Sequence, residues 1–233
     1  MCASAGGAVI ALFVLAARRL ILFYPALSAM LLGSFLISAV LLWTKFDGLG
    51  FKVYAARWMV AQPIIAALHV AVTIEAFIRV CLHFRAIRRF GAFLACIFAV
   101  VSVTVTYFIA GIRSPSWQHL AANLSRLLMN ESLGCLLFLS LTVIFFAQFR
   151  FQDVGRNVRR HLVILGSLFV CLFLANLLID VGSAGYGYAA AYQIIVTAGP
   201  AACYLAWAFG MTPDGETWKR LAFSGASVHS PVM

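Results

Sequence analysis

The sequence predicts an all-α fold, a polytopic transmembrane bundle of about seven helices with its N-terminus outside and its C-terminus in the cytoplasm. Three observations carry this expectation. Seven apolar runs of near membrane-spanning length occupy almost all of the 233 residues. Hydrophobic residues make up 64% of the chain and charged ones 10%, against about 45–50% and about 25% in soluble domains, so much of the apolar surface must face lipid. Lys and Arg also alternate in density from loop to loop. Arg18, Arg19, Arg85, Arg88, Arg89, Arg150, Arg156, Arg159, Arg160, Lys219 and Arg220 fall on one side, and Lys45, Lys52, Arg57, Arg113 and Arg126 on the other. The richer side is the cytoplasmic one.

Span one, about Ala3 to Leu15, is short and ends at Arg18-Arg19. Its charges follow the apolar run instead of preceding it, which predicts a retained helix and not a signal peptide. Span two runs from about Pro25 to Trp43. Pro25 suits the first turn, where a missing N–H is harmless, and Tyr24 and Trp43 suit the two interfaces. Asp47-Gly48 and Gly50 turn the chain toward span three, about Trp58 to Leu82. Span four covers about Gly91 to Ile112, span five about Leu127 to Phe149, span six about Leu162 to Leu178 and span seven about Ala189 to Phe209. Pro200 should kink the last of these. Residues 1–210 thus form one bundle, and 211–233 a polar, disordered cytoplasmic tail. Small residues, among them Gly33, Ser34, Gly91, Gly134 and Gly166, are the expected helix contacts.

Span three is the most polar helix, with Gln62, His69, Thr73, Glu75 and Arg79. A charge at membrane depth costs about 2.5–3.5 kcal/mol on the insertion scale and should face a partner. Glu75 and Arg79, four residues apart, are the expected pair. They either fix the rotation of span three or make Glu75 a ligand or proton site. His69, near the midplane, is expected to bond between helices. A second cluster belongs to the outer side: Asn130 and Glu131 in the first turns of span five, Asn176 and Asp180 on span six, and Tyr192 and Gln193 at the start of span seven. These either cap helix ends in the interface or line an outward-facing polar pocket. The candidate ligand-binding residues are therefore Glu75, His69, Arg79, Asn130, Glu131, Asn176, Asp180 and Gln193.

Several classes are excluded. A retinal protein needs a Schiff-base lysine in its last helix, and Lys45, Lys52 and Lys219 all lie outside the spans. A di-haem cytochrome needs paired intramembrane histidines, and only His69 lies deep. No HExxH, P-loop, GxSxG or GxGxxG occurs, and the six cysteines show no CxxC or metal spacing. The net charge of +10 fits anionic lipid headgroups and not nucleic acid, because no compact basic domain exists to hold one. No cofactor or metal site is expected. The expected partners are the lipid bilayer and a small-molecule or lipid ligand.

Arg18-Arg19, Phe23-Tyr24-Pro25, Trp58, Gln62-Pro63 and Glu75 lie in a layout that resembles a group of uncharacterised bacterial seven-span proteins, over spans two to seven. The resemblance implies location and topology, in a plasma or bacterial inner membrane, and no activity. Three functional readings follow from the residues. The first is a non-enzymatic sensory or regulatory protein with a ligand in the outer pocket. The second is a small-solute or ion transporter subunit using Glu75 and His69. The third is an intramembrane enzyme, which needs two titratable groups at one depth; Glu75 and Glu131 lie toward opposite sides, which counts against it.

Overall fold

Apolar runs without internal turn signals satisfy their backbone groups most simply as helices, and helices are what the chain forms. The computed structural model describes residues 2–47, 50–84, 90–110, 120–148, 154–181 and 187–215. Among them are seven α-helices and no strand: α1 (Cys2–Ala17), α2 (Pro25–Phe46), α3 (Gly50–Cys81), α4 (Gly91–Ala110), α5 (Leu120–Ala147), α6 (Arg156–Val181) and α7 (Gly187–Gly210), followed by one 3₁₀ turn, Pro213–Gly215. Within α2, α3, α5 and α6 the apolar stretches are long enough to cross a membrane; those of α1, α4 and α7 are shorter. The expected tail beyond residue 215, and Arg85, Arg88, Arg89, Arg113 and Arg150, lie outside the described residues.

Helix α1 packs between α2 and α7, and α7 continues onto α6, which meets α5. Helix α3 touches α2, α4, α5 and α6 and is the hub of the bundle. Helix α4 lies along α5 and meets α3 only sparsely. The outward faces carry Phe13, Val103, Val163 and Ile194, each well over half exposed. Such a surface suits lipid and not water.

Termini and close contacts follow local rules. Leu20 N–H bonds Leu15 C=O at 2.8 Å and Arg19 N–H bonds Ala16 C=O at 2.9 Å, closing α1 in a Schellman motif. Arg19 takes its left-handed position at φ 58°, and the paired Leu15 and Leu20 are both fully buried. Of the expected small-residue contacts, Gly33 faces Leu68, Gly91 faces Cys81 and Gly134 faces Thr106, whereas nothing lies within 4 Å of a Cβ on Gly166. The tightest approach is at Gly33, where a Cβ would stand 2.6 Å from Leu68 Cδ1, followed by Gly199, 3.0 Å from Cys171 Cβ and Sγ, and Gly7, 3.3 Å from the Ala201 carbonyl.

The helix assignment continues through both Pro63 and Pro200. Pro200 has no N–H to offer the Val196 carbonyl one turn back, and Val196 and Pro200 line the polar cavity described next.

Candidate functional site: a buried His69–Glu131 pair between two cavities

Glu75 serves a different partner from the expected one. Its Oε2 accepts the Leu27 N–H at 2.9 Å, and the Ala26 N–H bonds the same carboxylate. Tyr24, the N-cap residue of α2, makes no side-chain cap, and Pro25 has no N–H to satisfy. A carboxylate from α3 therefore caps α2, meeting both its unbonded donors and the positive end of its dipole. Arg79 places its guanidinium 5.0 Å from the centroid of the Tyr24 ring, a cation–π contact. It acts on Glu75 through its field. Among the described residues the single ion pair within 4.0 Å is His69–Glu131, so the expected Glu75–Arg79 contact is replaced by two contacts to the α2 N-terminus.

His69 on α3 and Glu131 on α5 meet with Nδ1 3.2 Å from Oε1, and their side chains are only 7% and 11% exposed. Phe169 of α6 stands edge-to-face against the imidazole at 5.5 Å. Thr73 Oγ1 donates to the His69 carbonyl at 2.8 Å, and Cys135 Sγ lies 3.7 Å from the same Glu131 oxygen. His69 thus makes the interhelical bond expected of it. Glu131 stands where expected, in the first turn of the apolar span Leu128–Ala147, although helix α5 itself begins three turns earlier at Leu120. The contact with His69 sets the two side chains at one level of the bundle.

The pair opens on two sides. A cavity of about 180 Å³ at the bundle centre is lined from every helix except α4, with Ser34, Gln62, His69, Glu131, Asn176 and Tyr192 as its polar wall. Tyr204 Oη donates to Ser34 Oγ at 3.2 Å across it, and Asn176 Nδ2 donates to the Leu172 carbonyl. On the other side of Glu131 a larger crevice of about 380 Å³ lies between α3, α4 and α5, and Asn130 borders it. Glu131, Asn176 and His69 therefore gather at one cavity. Asn130 belongs to its neighbour, and Glu75 and Arg79 stand apart at the α2 N-terminus. The side chains of Asp180 and Gln193 lie outside the described residues.

At the other end of α7 the arginines expected to face lipid headgroups hold protein carbonyls. Arg18 donates to Ala208 O at 2.9 Å and to Met211 O, and Arg160 donates to Gly210 O. Asn157 exchanges two hydrogen bonds with the Thr212 backbone, at 2.6 and 3.1 Å. Trp207 Nε1–H donates to His161 Nδ1 at 3.0 Å, which leaves the imidazole proton on Nε2. The two arginines satisfy the Ala208 and Gly210 carbonyls at the end of α7, and cations at a helix C-terminus are favourable.

Residues that escaped attention in the sequence include Ser102 and Thr106 of α4, both buried. Their spacing of four in an otherwise apolar span was the available signal. No three His, Cys, Asp or Glu side chains converge as a metal site among the described residues. No family model, curated protein or solved structure matches the chain.

Proposed function

We propose that the protein is a non-enzymatic integral membrane protein, N-terminus out and C-terminus in, that binds a small polar ligand at the bundle centre and serves a sensory or regulatory role in a plasma or bacterial inner membrane. The carrying observation is the His69–Glu131 pair facing a cavity instead of a packed core. Burying such a pair is costly unless further hydrogen bonds complete it. The cavity walls offer Gln62, Asn176 and Tyr192 alongside the pair, a set that takes a ligand with both donors and acceptors. At about 180 Å³ the space is below the roughly 300–1,000 Å³ of drug-sized sites, which favours a molecule the size of an amino acid or short amine.

The test is a melting-midpoint screen of the full chain in mild detergent against amino acids, short amines and short carboxylates, with native mass spectrometry of the unliganded sample. At least one compound should raise the midpoint of the wild type but not of Asn176→Leu or Tyr192→Phe, neither of which touches the ion pair. No shift across the set, with a clean apo mass, would sink the reading.

One observation favours transport as a second reading: Glu131 borders both the crevice and the central cavity, which His69 lines as well. Here Glu131 replaces Glu75, which is occupied at α2. Substrate flux in proteoliposomes separates the two. The enzyme reading gains two titratable groups at one depth. However, the nearby thiol of Cys135 donates to the carboxylate and not to the imidazole, so the base–nucleophile contact that activates a cysteine is missing.

A further inference from the structure

The crevice between α3, α4 and α5 has two unlike ends. Phe77, Phe98 and Phe138 close the interface toward the α3–α4 connection in mutual edge-to-face contacts, with centroids 5.5 to 5.9 Å apart. One and two turns further along α4 stand Ser102 and Thr106, and one and two turns further back along α5 stand Gly134 and Asn130. There the aromatic packing ends and the crevice of about 380 Å³ opens, with Phe138 as its floor and Val70, Ile74 and Val103 on its walls. Those three wall residues are also exposed on the outer surface, so the mouth opens where lipid would lie.

The polar atoms here are unusual. Ser102 Oγ, Thr106 Oγ1 and Asn130 Oδ1 are buried and have no hydrogen-bond partner, and all three residues line this one crevice. Ser102 and Thr106 are 3% and 7% exposed as residues. A serine or threonine in a helix ordinarily bonds the carbonyl four residues back, as Ser132 and Thr142 do in α5. Ser102 and Thr106 do not. An unmade buried hydrogen bond is costly, and three such atoms on residues that border one apolar space describe a head-group site awaiting donors and acceptors.

We propose that this crevice binds a membrane-dissolved, single-chain amphipath with an uncharged, hydroxyl-bearing head group. The head would donate to Asn130 Oδ1 and exchange hydrogen bonds with the Ser102 and Thr106 hydroxyls. The chain would run along Val70, Ile74 and Val103 toward Phe138. Glu131 lines the same head-group end and already accepts from Cys135, so a head that donates is favoured over a carboxylate that only accepts. The volume falls within the roughly 300–1,000 Å³ of sites for small organic ligands. Filling it would bridge α3 and α4, which otherwise meet sparsely. This site is independent of the bundle-centre ligand and stands whether or not that ligand exists.

The probes share one chain length: 1-decanoylglycerol, decanoate and decane, each titrated into the full-length protein in nanodiscs and followed by native mass spectrometry and melting midpoint. Decanoylglycerol should form a 1:1 adduct and raise the midpoint, with decanoate and decane at least about tenfold weaker, the effect expected from losing one or two hydrogen bonds. The double variant Ser102→Ala with Thr106→Val keeps shape and removes two unpartnered hydroxyls. Unliganded, it should melt at or above the wild-type midpoint, and its affinity for decanoylglycerol should fall about tenfold. Ala99→Phe, which obstructs the crevice from its lipid-facing wall, should abolish the adduct. Equal binding of all three probes, equal affinity in the double variant, or an adduct that survives Ala99→Phe overturns the proposal. So does a double variant that melts below the wild type, because the hydroxyls would then be satisfied in the unliganded protein.

Discussion

Glu75 shows how one carboxylate can be read correctly as partnered and wrongly as to its partner. Its oxygen sits on the Leu27 N–H, so Glu75→Ala should cost about 1–2 kcal/mol, the usual loss for a removed N-cap. Glu75→Gln keeps an acceptor and should cost less. A double-mutant cycle with Arg79→Gln should give a coupling below about 0.5 kcal/mol, since Arg79 rests on Tyr24. A coupling several times larger would restore the direct pair. His69 and Glu131 are expected to behave in the opposite way. Glu131→Leu leaves a buried imidazole without its partner and should cost about 1–3 kcal/mol, whereas the double change His69→Leu with Glu131→Leu should recover most of the loss. Denaturation of the full chain in mixed detergent micelles reads both cycles.

At the scale of the helices, packing is decided where backbones come closest. Gly199 faces Cys171 across the α6–α7 interface with no room for a methyl group. Gly199→Ala should destabilise by about 1–3 kcal/mol through overpacking. Adding Cys171→Gly, which removes both crowding atoms, should return part of that loss; if it deepens the loss, the close approach is not the cause. The C-terminal end of α7 is held differently, by Arg18 from the end of α1 and Arg160 from α6. Replacing both by Ala should leave the bundle folded but raise hydrogen exchange at Met211 and Thr212. Unchanged protection at those amides would show that the clamp is dispensable.

For the whole molecule, orientation rests on loop charge and architecture on the hub position of α3. The asymmetry in Lys and Arg predicts a cytoplasmic C-terminus. A fluorescent protein fused after Met233 should therefore be bright, and a periplasmic reporter at the same position silent; the reverse pattern would invert the topology. Because α3 touches four other helices, its polar residues reach several interfaces: Glu75 reaches α2, His69 reaches α5 and α6, and Gln62 reaches the central cavity.

The sequence by itself determined the all-helical class, the number of helices among the described residues and the polarity of α3. Apolar runs and turn signals are local, and helix hydrogen bonds close within four residues. It determined the starts of α2 and α4 to the residue, at Pro25 and Gly91. For α3, α5 and α6 it marked where the apolar span begins, and the helices themselves begin earlier. Hydropathy marks where side chains become apolar, whereas the backbone ladder continues through polar turns such as those holding Arg57, Asn123 and Arg159. Glu131 accordingly keeps its place in the first turn of the apolar span, and only its contact with His69 was not legible. Only the tertiary structure decided the partners, because the α2 N-terminus and Glu75 are 48 residues apart and His69 and Glu131 are 62 apart. No periodicity connects such distances. Nor could the sequence show that Ser102, Thr106 and Asn130 converge on one crevice, since an unpartnered atom exists only once every neighbour is in place.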